Sequence, residues 1–157
     1  MGLDMYLSKK TFLGGNYEHR KVKVNLEVYK EDKKAKTGVD SSKVTSIEEE
    51  VFSWRKANAI HQWFVDKCQD GRDECQEAHV TLEDLTELRD ICKQIIDDNN
   101  LAEELLPTSS GFFFGSTEYD EWYFKNIKET YEMLDELIYS HNEASGFYVD
   151  YYYNSSW

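Results

Sequence analysis

Residues 147–153, FYVDYYY, decide the predicted fold, because they form an aromatic β-strand after a long helical stretch. Alternate positions share one face of this strand: Phe147, Val149, Tyr151 and Tyr153. The same alternation occurs near the start of the chain, in residues 3–7 (LDMYL) and 21–29 (KVKVNLEVY). We therefore expect a single α+β domain over residues 1–157, with a small, mainly antiparallel sheet that contains both ends of the chain.

About three main helices are predicted to pack on this sheet. In residues 47–68, apolar residues recur at helical spacing and so share one face of a predicted helix. Residues 82–95 show the same pattern, and Thr81 and Asp84 form a capping box at its start. A third helix is expected to begin at a cap formed by Ser116 or Thr117 and to run to about residue 141. The chain thus divides into a strand-rich part (1–46), a helical part (47–142) and a last strand (147–153).

The connections between these elements have their own signatures. Residues 30–43 predict a hairpin with a basic tip that contains Lys30, Lys33, Lys34 and Lys36, followed by a short return strand at 43–47. Residues 69–79 are expected to form an acidic loop. Residues 111–115, GFFFG, predict a short buried strand or an extended loop.

Charge is distributed unevenly along the chain. Residues 1–46 carry a net +4 and residues 47–157 a net −17, which gives −13 overall. Direct DNA binding is not expected, because phosphate neutralisation requires a cationic face. The acidity indicates either solvated helix faces or imitation of a nucleic acid.

Compartment and membrane signals are weak. The three cysteines form no regular framework, which fits a reducing cytoplasm and core thiols. The N-terminus has no apolar run of signal-peptide length and no segment approaches a membrane span, so we expect a cytoplasmic protein without membrane contact.

Two polar residues on the apolar arc of the first helix suggest a site. Asn58 and His61 lie one helical turn apart, and burying either without a partner would cost about 1–3 kcal/mol. One interpretation gives them backbone carbonyls or tyrosine hydroxyls as partners in the core. The other has them line a ligand pocket with Trp54 and Arg55 at its rim, a set able to hold an anionic, aromatic ligand.

The loop TSSGFFFGST (108–117) offers the other half of such a pocket. Hydroxyl donors and aromatic rings are concentrated in it and just beyond it: Ser109, Ser110, Ser116, Thr117, Tyr119 and one outward phenylalanine, which we place at Phe113. Ordinary helix capping is the alternative role of the second Ser-Thr pair. The aromatic C-terminus, from Tyr148 to Trp157, predicts a stacking platform, a surface for homo-oligomers or a simple aromatic edge.

No catalytic or cofactor motif is present. Dinucleotide and P-loop glycine spacings are absent, and so are the GxSxG, HExxH and CxxC patterns. We expect no metal and no cofactor, and we favour binding over catalysis. A small hydrolase or transferase that uses His61 as a general base is the less favoured alternative.

Three strings carry a resemblance: MGLDMYL (1–7), WRKANAIHQWFV (54–65) and LLPTSSGFFFGSTEYDEWYF (105–124). The chain resembles, nearly end to end, a family of small, acidic bacteriophage and prophage proteins. The resemblance carries over no catalytic residue and implies interference with host defence or host machinery. The leading hypothesis is capture of a nucleotide-like molecule such as an immune signal. The alternative is an acidic nucleic-acid mimic or protein-interaction inhibitor that blocks a host protein.

Overall fold

The computed structural model describes residues 2–14, 18–20, 26–30, 33–34, 39–143 and 146–157. The strands are β1 (Asp4–Phe12), β2 (Tyr29–Lys30), β3 (Lys33–Lys34), β4 (Ser46–Arg55), β5 (Ala78–Val80) and β6 (Tyr148–Ser156). The helices are α1 (Asn58–Cys68), α2 (Leu82–Asp97), α3 (Ala102–Leu105) and α4 (Glu121–Glu143). Short 3-10 turns lie at Glu18–Arg20, Ser41–Lys43 and Asn99–Leu101. The predicted α+β class is confirmed, with a four-stranded antiparallel sheet and three main helices.

β1 and β6 form the centre of a four-stranded antiparallel sheet with the order β4-β1-β6-β5. They pair along their whole length, from Asp4 opposite Ser156 to Phe12 opposite Tyr148. One face of these strands is buried in the core through Leu3, Met5, Leu7, Tyr151 and Tyr153. The expected pairing of the C-terminal strand with the N-terminus is therefore confirmed.

β4 and the two residues after it replace the first half of a predicted helix. The sequence placed the start of the first helix at Ile47, but residues 46–55 are extended and α1 begins only at Asn58. Pairing with β1 explains the difference, because β4 forms an antiparallel ladder with that strand from Arg55 opposite Asp4 to Ser46 opposite Phe12. A bulge between Leu7 and Ser8 accommodates the extra residue of β4.

The hairpin predicted between strands at 21–29 and 43–47 is not observed among the described residues, because Ser41–Lys43 is a 3-10 turn and β4 pairs with β1. Instead, β2 and β3 form a separate two-stranded sheet at the predicted basic tip. Tyr29 lies opposite Lys34, and Lys30 lies opposite Lys33. The prediction of a strand at 21–29 is not fulfilled at residues 26–28, which belong to no strand, while residues 21–25 lie outside the described residues. Lys36, predicted at the hairpin tip, also lies outside them.

The helix starts are partly as expected. The capping box of α2 is confirmed, since Thr81 Oγ1 accepts the Asp84 N–H at 3.0 Å and Asp84 Oδ2 accepts the Thr81 N–H at 3.0 Å. The prediction that Ser116 or Thr117 caps the third helix is wrong. Asp120 does so, because its Oδ1 accepts the first N–H groups of α4, and a cap must directly precede the first helical turn.

Two further features complete the fold. The predicted acidic loop ends in β5, whose His79 pairs with Tyr152 of β6, so residues 78–80 are strand. GFFFG forms a turn, with the Phe114 N–H donating to the Gly111 carbonyl at 3.2 Å. No helix in the described part of the chain combines the length and apolar character needed to cross a bilayer.

Candidate functional site

Asn58, the first residue of α1, joins this helix to the 108–119 loop. Its Nδ2 donates to the carbonyl oxygens of Phe114 at 3.0 Å and Ser116 at 2.8 Å. Its Oδ1 accepts the backbone N–H of Ser109 at 3.0 Å. The side chain is buried and both amide hydrogens are used. The helix and the loop therefore meet, but Asn58 holds the loop in place and has no donor left for a ligand.

His61 is completely buried and belongs to a chain of hydrogen-bonded side chains. Its Nδ1 lies 2.7 Å from the Tyr153 hydroxyl, and its Nε2 lies 2.9 Å from Asp73 Oδ2. The other carboxylate oxygen of Asp73 accepts the indole N–H of Trp157 at 3.0 Å. Asp73 Oδ2 accepts the Nε2–H of His61, and burial raises the pKa of Tyr153, so the hydroxyl that lies against Nδ1 keeps its proton. Both ring nitrogens are therefore engaged inside the protein.

Trp54 and Arg55 point in different directions because they are consecutive residues of a strand. Trp54 is buried, and its Nε1 donates to Thr130 Oγ1 at 2.8 Å. Arg55 is exposed, with Nη1 3.5 Å from Asp4 Oδ1. The indole ring thus belongs to the core, while the guanidinium remains at the surface.

The predicted loop residues separate into anchored and exposed groups. Ser109 Oγ donates to Gln62 Oε1 at 3.0 Å, whereas Ser110 is exposed. The outward phenylalanine is Phe112, which is 95% exposed, and Phe113 is half-buried. The loop tip therefore presents Phe112 to solvent.

The second half of the loop is used largely for its own structure. Thr108 donates from Oγ1 to the Thr117 carbonyl at 2.9 Å and from its N–H to the Tyr119 hydroxyl at 3.2 Å. Ser116 Oγ accepts the Glu118 N–H at 3.1 Å. These bonds close the loop beside α1, so that Ser116 faces the start of that helix.

A small cavity of about 60 Å³ lies between the start of α1, the loop and α4. Its wall consists of Lys56, Ala57, Asn58, Ala59, Ile60, Thr108, Ser116, Glu118, Asp120, Tyr123, Asn126 and Ile127. Ala57 at the N-cap of α1 offers no side-chain acceptor, and the first turn contains no acidic residue. The first amides of an α-helix lack intrahelical partners, so this end of α1 presents N–H donors toward the cavity.

Lys56 is the cation of this cavity, and sequence reasoning missed it by assigning it to the outer side of a helix. It lies at the junction of β4 and α1 with φ of 56°, a left-handed conformation uncommon for lysine. Gly115 packs against it so closely that a Cβ there would lie 3.1 Å from Lys56 Cβ. Among the described residues, Lys56 has no ion-pair partner.

A groove of about 480 Å³ adjoins the cavity and shares Lys56, Ser116 and Asn126 with it. One wall is formed by five consecutive residues, 52–56. Successive side chains of a strand point to opposite faces, so side chains from one face cannot form this wall alone, and the backbone edge of β4 contributes to it. The other wall is one face of α4: Trp122, Lys125, Asn126 and Glu129. Trp122 is 64% exposed, and Lys125 Nζ lies 5.3 Å from its ring centroid.

The nucleophile and metal chemistries find little support in the described residues. Burial raises the pKa of the Cys68 and Cys92 thiols to about 12, so both remain protonated at neutral pH. Within the ranges that the structure covers, no three histidine, cysteine or carboxylate side chains are grouped for a metal ion. The cavity and the groove beside Lys56 are therefore the candidate site.

Comparison with known proteins finds no matching family model, no matching curated protein and no matching solved structure.

Proposed function

We propose that this protein binds a nucleotide-like ligand without chemical turnover, with a phosphate in the cavity beside Lys56 and a base in the groove against Trp122. The observation that carries the proposal is the placement of Lys56, which has no ion-pair partner among the described residues, between a small cavity and an aromatic groove. Anions and flat rings are the two groups that these features favour.

The phosphate end is supported by three kinds of donor. Lys56 supplies a charge that no carboxylate of the described residues pairs with. The uncapped first turn of α1 adds backbone N–H groups and the positive end of the helix dipole. Ser116 and Asn126 line both the cavity and the groove, and so can contact the link between phosphate and nucleoside.

The base end is supported by the groove. An exposed tryptophan face stacks on any base, and stacking contributes about 1–3 kcal/mol per base in known single-strand binders. The edge of β4 offers backbone donors and acceptors to the polar rim of a base. Arg55 and Lys125 also lie at the rim, where each is near a carboxylate, Arg55 Nη1 at 3.5 Å from Asp4 Oδ1 and Lys125 Nζ at 3.7 Å from Glu129 Oε1.

The biological role proposed for this binding is capture of a nucleotide signal of host defence in the bacterial cytoplasm, which rests on the resemblance to phage proteins. Binding is favoured over hydrolysis or group transfer because His61 is buried and both its ring nitrogens are engaged. The enzyme alternative would be supported if the wild-type protein turned over a bound nucleotide and His61→Ala still bound that nucleotide but no longer turned it over.

The test is calorimetry against linear, cyclic and ADP-ribose-derived nucleotides, with Lys56→Gln and the matched control Lys128→Gln. Lys128 lies on α4 outside the cavity and groove and is also exposed. A charge-assisted bond contributes about 1.5–3 kcal/mol, so Lys56→Gln should weaken binding about 10- to 150-fold and Lys128→Gln should not. Absence of binding by every nucleotide in the panel would refute the proposal.

A second candidate function, inhibition of a basic host protein by nucleic-acid imitation, is favoured by the outer side of α4. Glu132, Asp135 and Glu136 line a shallow groove of about 600 Å³ together with the exposed Tyr139. Such a surface binds a cationic partner with strong salt dependence. Recovery of a nucleic-acid-binding protein at low salt, lost at high salt and in Glu132→Lys/Glu136→Lys, would favour this function.

A further inference from the structure

We propose that the ligand of the Lys56 site carries a single phosphate group, as in a nucleoside monophosphate or a cyclic phosphodiester, and that Glu118 excludes longer phosphate chains. This inference rests on the proposed function and narrows its ligand class. It is drawn from the size of the cavity, the charges on its wall and the position of the groove.

The size of the cavity favours a single phosphate group. The cavity is small beside the adjoining groove, with about 60 Å³ against about 480 Å³. A diphosphate or triphosphate is two or three times the size of one phosphate group, so its additional groups would extend beyond the cavity.

The charges on the wall oppose such an extension. Lys56 is the only basic side chain on it, and the carboxylates of Glu118 and Asp120 share it. Asp120 Oδ1 accepts the N–H groups of Trp122 and Tyr123, both at 3.0 Å, which keeps this carboxylate at the start of α4. The Glu118 carboxylate is exposed and has no hydrogen-bond or ion-pair partner in the described residues. It is therefore the charge available to repel a second phosphate.

The groove fixes which way the ligand extends. Lys56, Ser116 and Asn126 line both spaces, whereas Glu118 lines the cavity alone. A nucleoside that leaves the cavity along these shared residues lies in the groove against Trp122. Further phosphates, attached on the other side of the first one, would then point toward Glu118. A cyclic phosphodiester avoids this clash because both ester links lead back to sugar.

The experiment measures dissociation constants for AMP, ADP, ATP and cyclic AMP in magnesium-free buffer, using wild type, Glu118→Gln and Glu121→Gln. Glu121 is an exposed acid three residues further on that lines neither space, so it controls for general charge. We expect AMP or cyclic AMP to bind wild type at least tenfold more tightly than ATP. Glu118→Gln should strengthen ATP binding and so reduce the ratio of the ATP dissociation constant to the AMP dissociation constant at least fivefold. Glu121→Gln should leave this ratio unchanged.

The outcomes separate this inference from the function on which it rests. If ATP binds wild type as tightly as AMP, or if the two glutamate variants change the ratio equally, the single-phosphate inference is wrong while nucleotide binding stands. If none of the four probes binds, while ADP-ribose binds, the inference is also overturned. If no nucleotide of any class binds, both proposals fail.

Discussion

At the scale of single residues, Asn58 makes the most demanding set of contacts, because one side chain satisfies three backbone groups of the 108–119 loop. Asn58→Ala removes all three of these part-buried hydrogen bonds, each of which contributes about 0.5–1.5 kcal/mol, so we expect a loss of about 2–4 kcal/mol in the free energy of unfolding. Urea unfolding measures it. The exposed Asn100, which bonds only locally to Asp98, serves as the control, and its alanine variant should change stability by less than about 0.5 kcal/mol. A loss below 1 kcal/mol at Asn58 would contradict the anchoring role.

The sequence predicted that Asn58 and His61 need partners, because both are polar and lie on an apolar face. It also named the right chemical types, backbone carbonyls and a tyrosine hydroxyl, as one of two alternatives. It did not identify the atoms, since Phe114 lies 56 residues from Asn58 and Tyr153 lies 92 residues from His61. The need for a partner is a local property, whereas the identity of that partner depends on how distant segments pack.

At the scale of elements, α4 tests where a helix begins. Asp120→Ala removes the acceptor of the Trp122 and Tyr123 N–H groups, and loss of an N-cap typically destabilises a protein by about 0.5–2 kcal/mol. Thr117→Ala, at a position the sequence favoured for the cap, should change stability by less than about 0.5 kcal/mol. Thermal unfolding followed by circular dichroism compares the two. A larger effect at Thr117 would mean that the helix starts earlier than Glu121.

β4 shows why element boundaries were harder to predict than element types. Residues 47–68 satisfy a helical arc throughout, because apolar residues of a bulged strand can mimic helical spacing. The contacts that decide the conformation are those of the ladder with β1, which pairs for example Lys9 with Glu49, 40 positions apart in the numbering, and is invisible to a local pattern. The same error led to the wrong placement of Lys56. This residue lies at a strand-to-helix junction, where its side chain turns toward the loop, and not inside a helix. By contrast, β1, β6 and α2 follow their local patterns and their types were predicted correctly, although β1 and β6 continue to Phe12 and Ser156, beyond the predicted ranges 3–7 and 147–153.

At the scale of the whole molecule, stability in alkali reports how well the core is closed. Burial raises the pKa of Tyr123, Tyr153 and Cys92. Above its ordinary pKa, each group has lost its proton in the unfolded chain but still carries that proton in the folded protein. The unfolded state therefore holds fewer protons above the ordinary pKa, and stability falls as pH rises, starting near pH 9 for Cys92 and near pH 10 for the tyrosines.

We expect each such group to reduce the free energy of unfolding by about 1.4 kcal/mol per pH unit above its ordinary pKa. Tyr153→Phe loses its bond to His61 and should be less stable than wild type at pH 8 by about 1–2 kcal/mol. Its decline between pH 10 and 11 should nevertheless be shallower by about 1 kcal/mol, because one titrating group is gone and an unfolded tyrosine is half ionised at its ordinary pKa of about 10. The exposed Tyr139→Phe should change neither value. Urea unfolding at pH 8, 10 and 11 measures the stability of all three proteins. A parallel decline in the stability of wild type and Tyr153→Phe would show that the Tyr153 hydroxyl is open to solvent. In that case the hydrogen-bonded chain from Tyr153 through His61 to Asp73 does not form in solution.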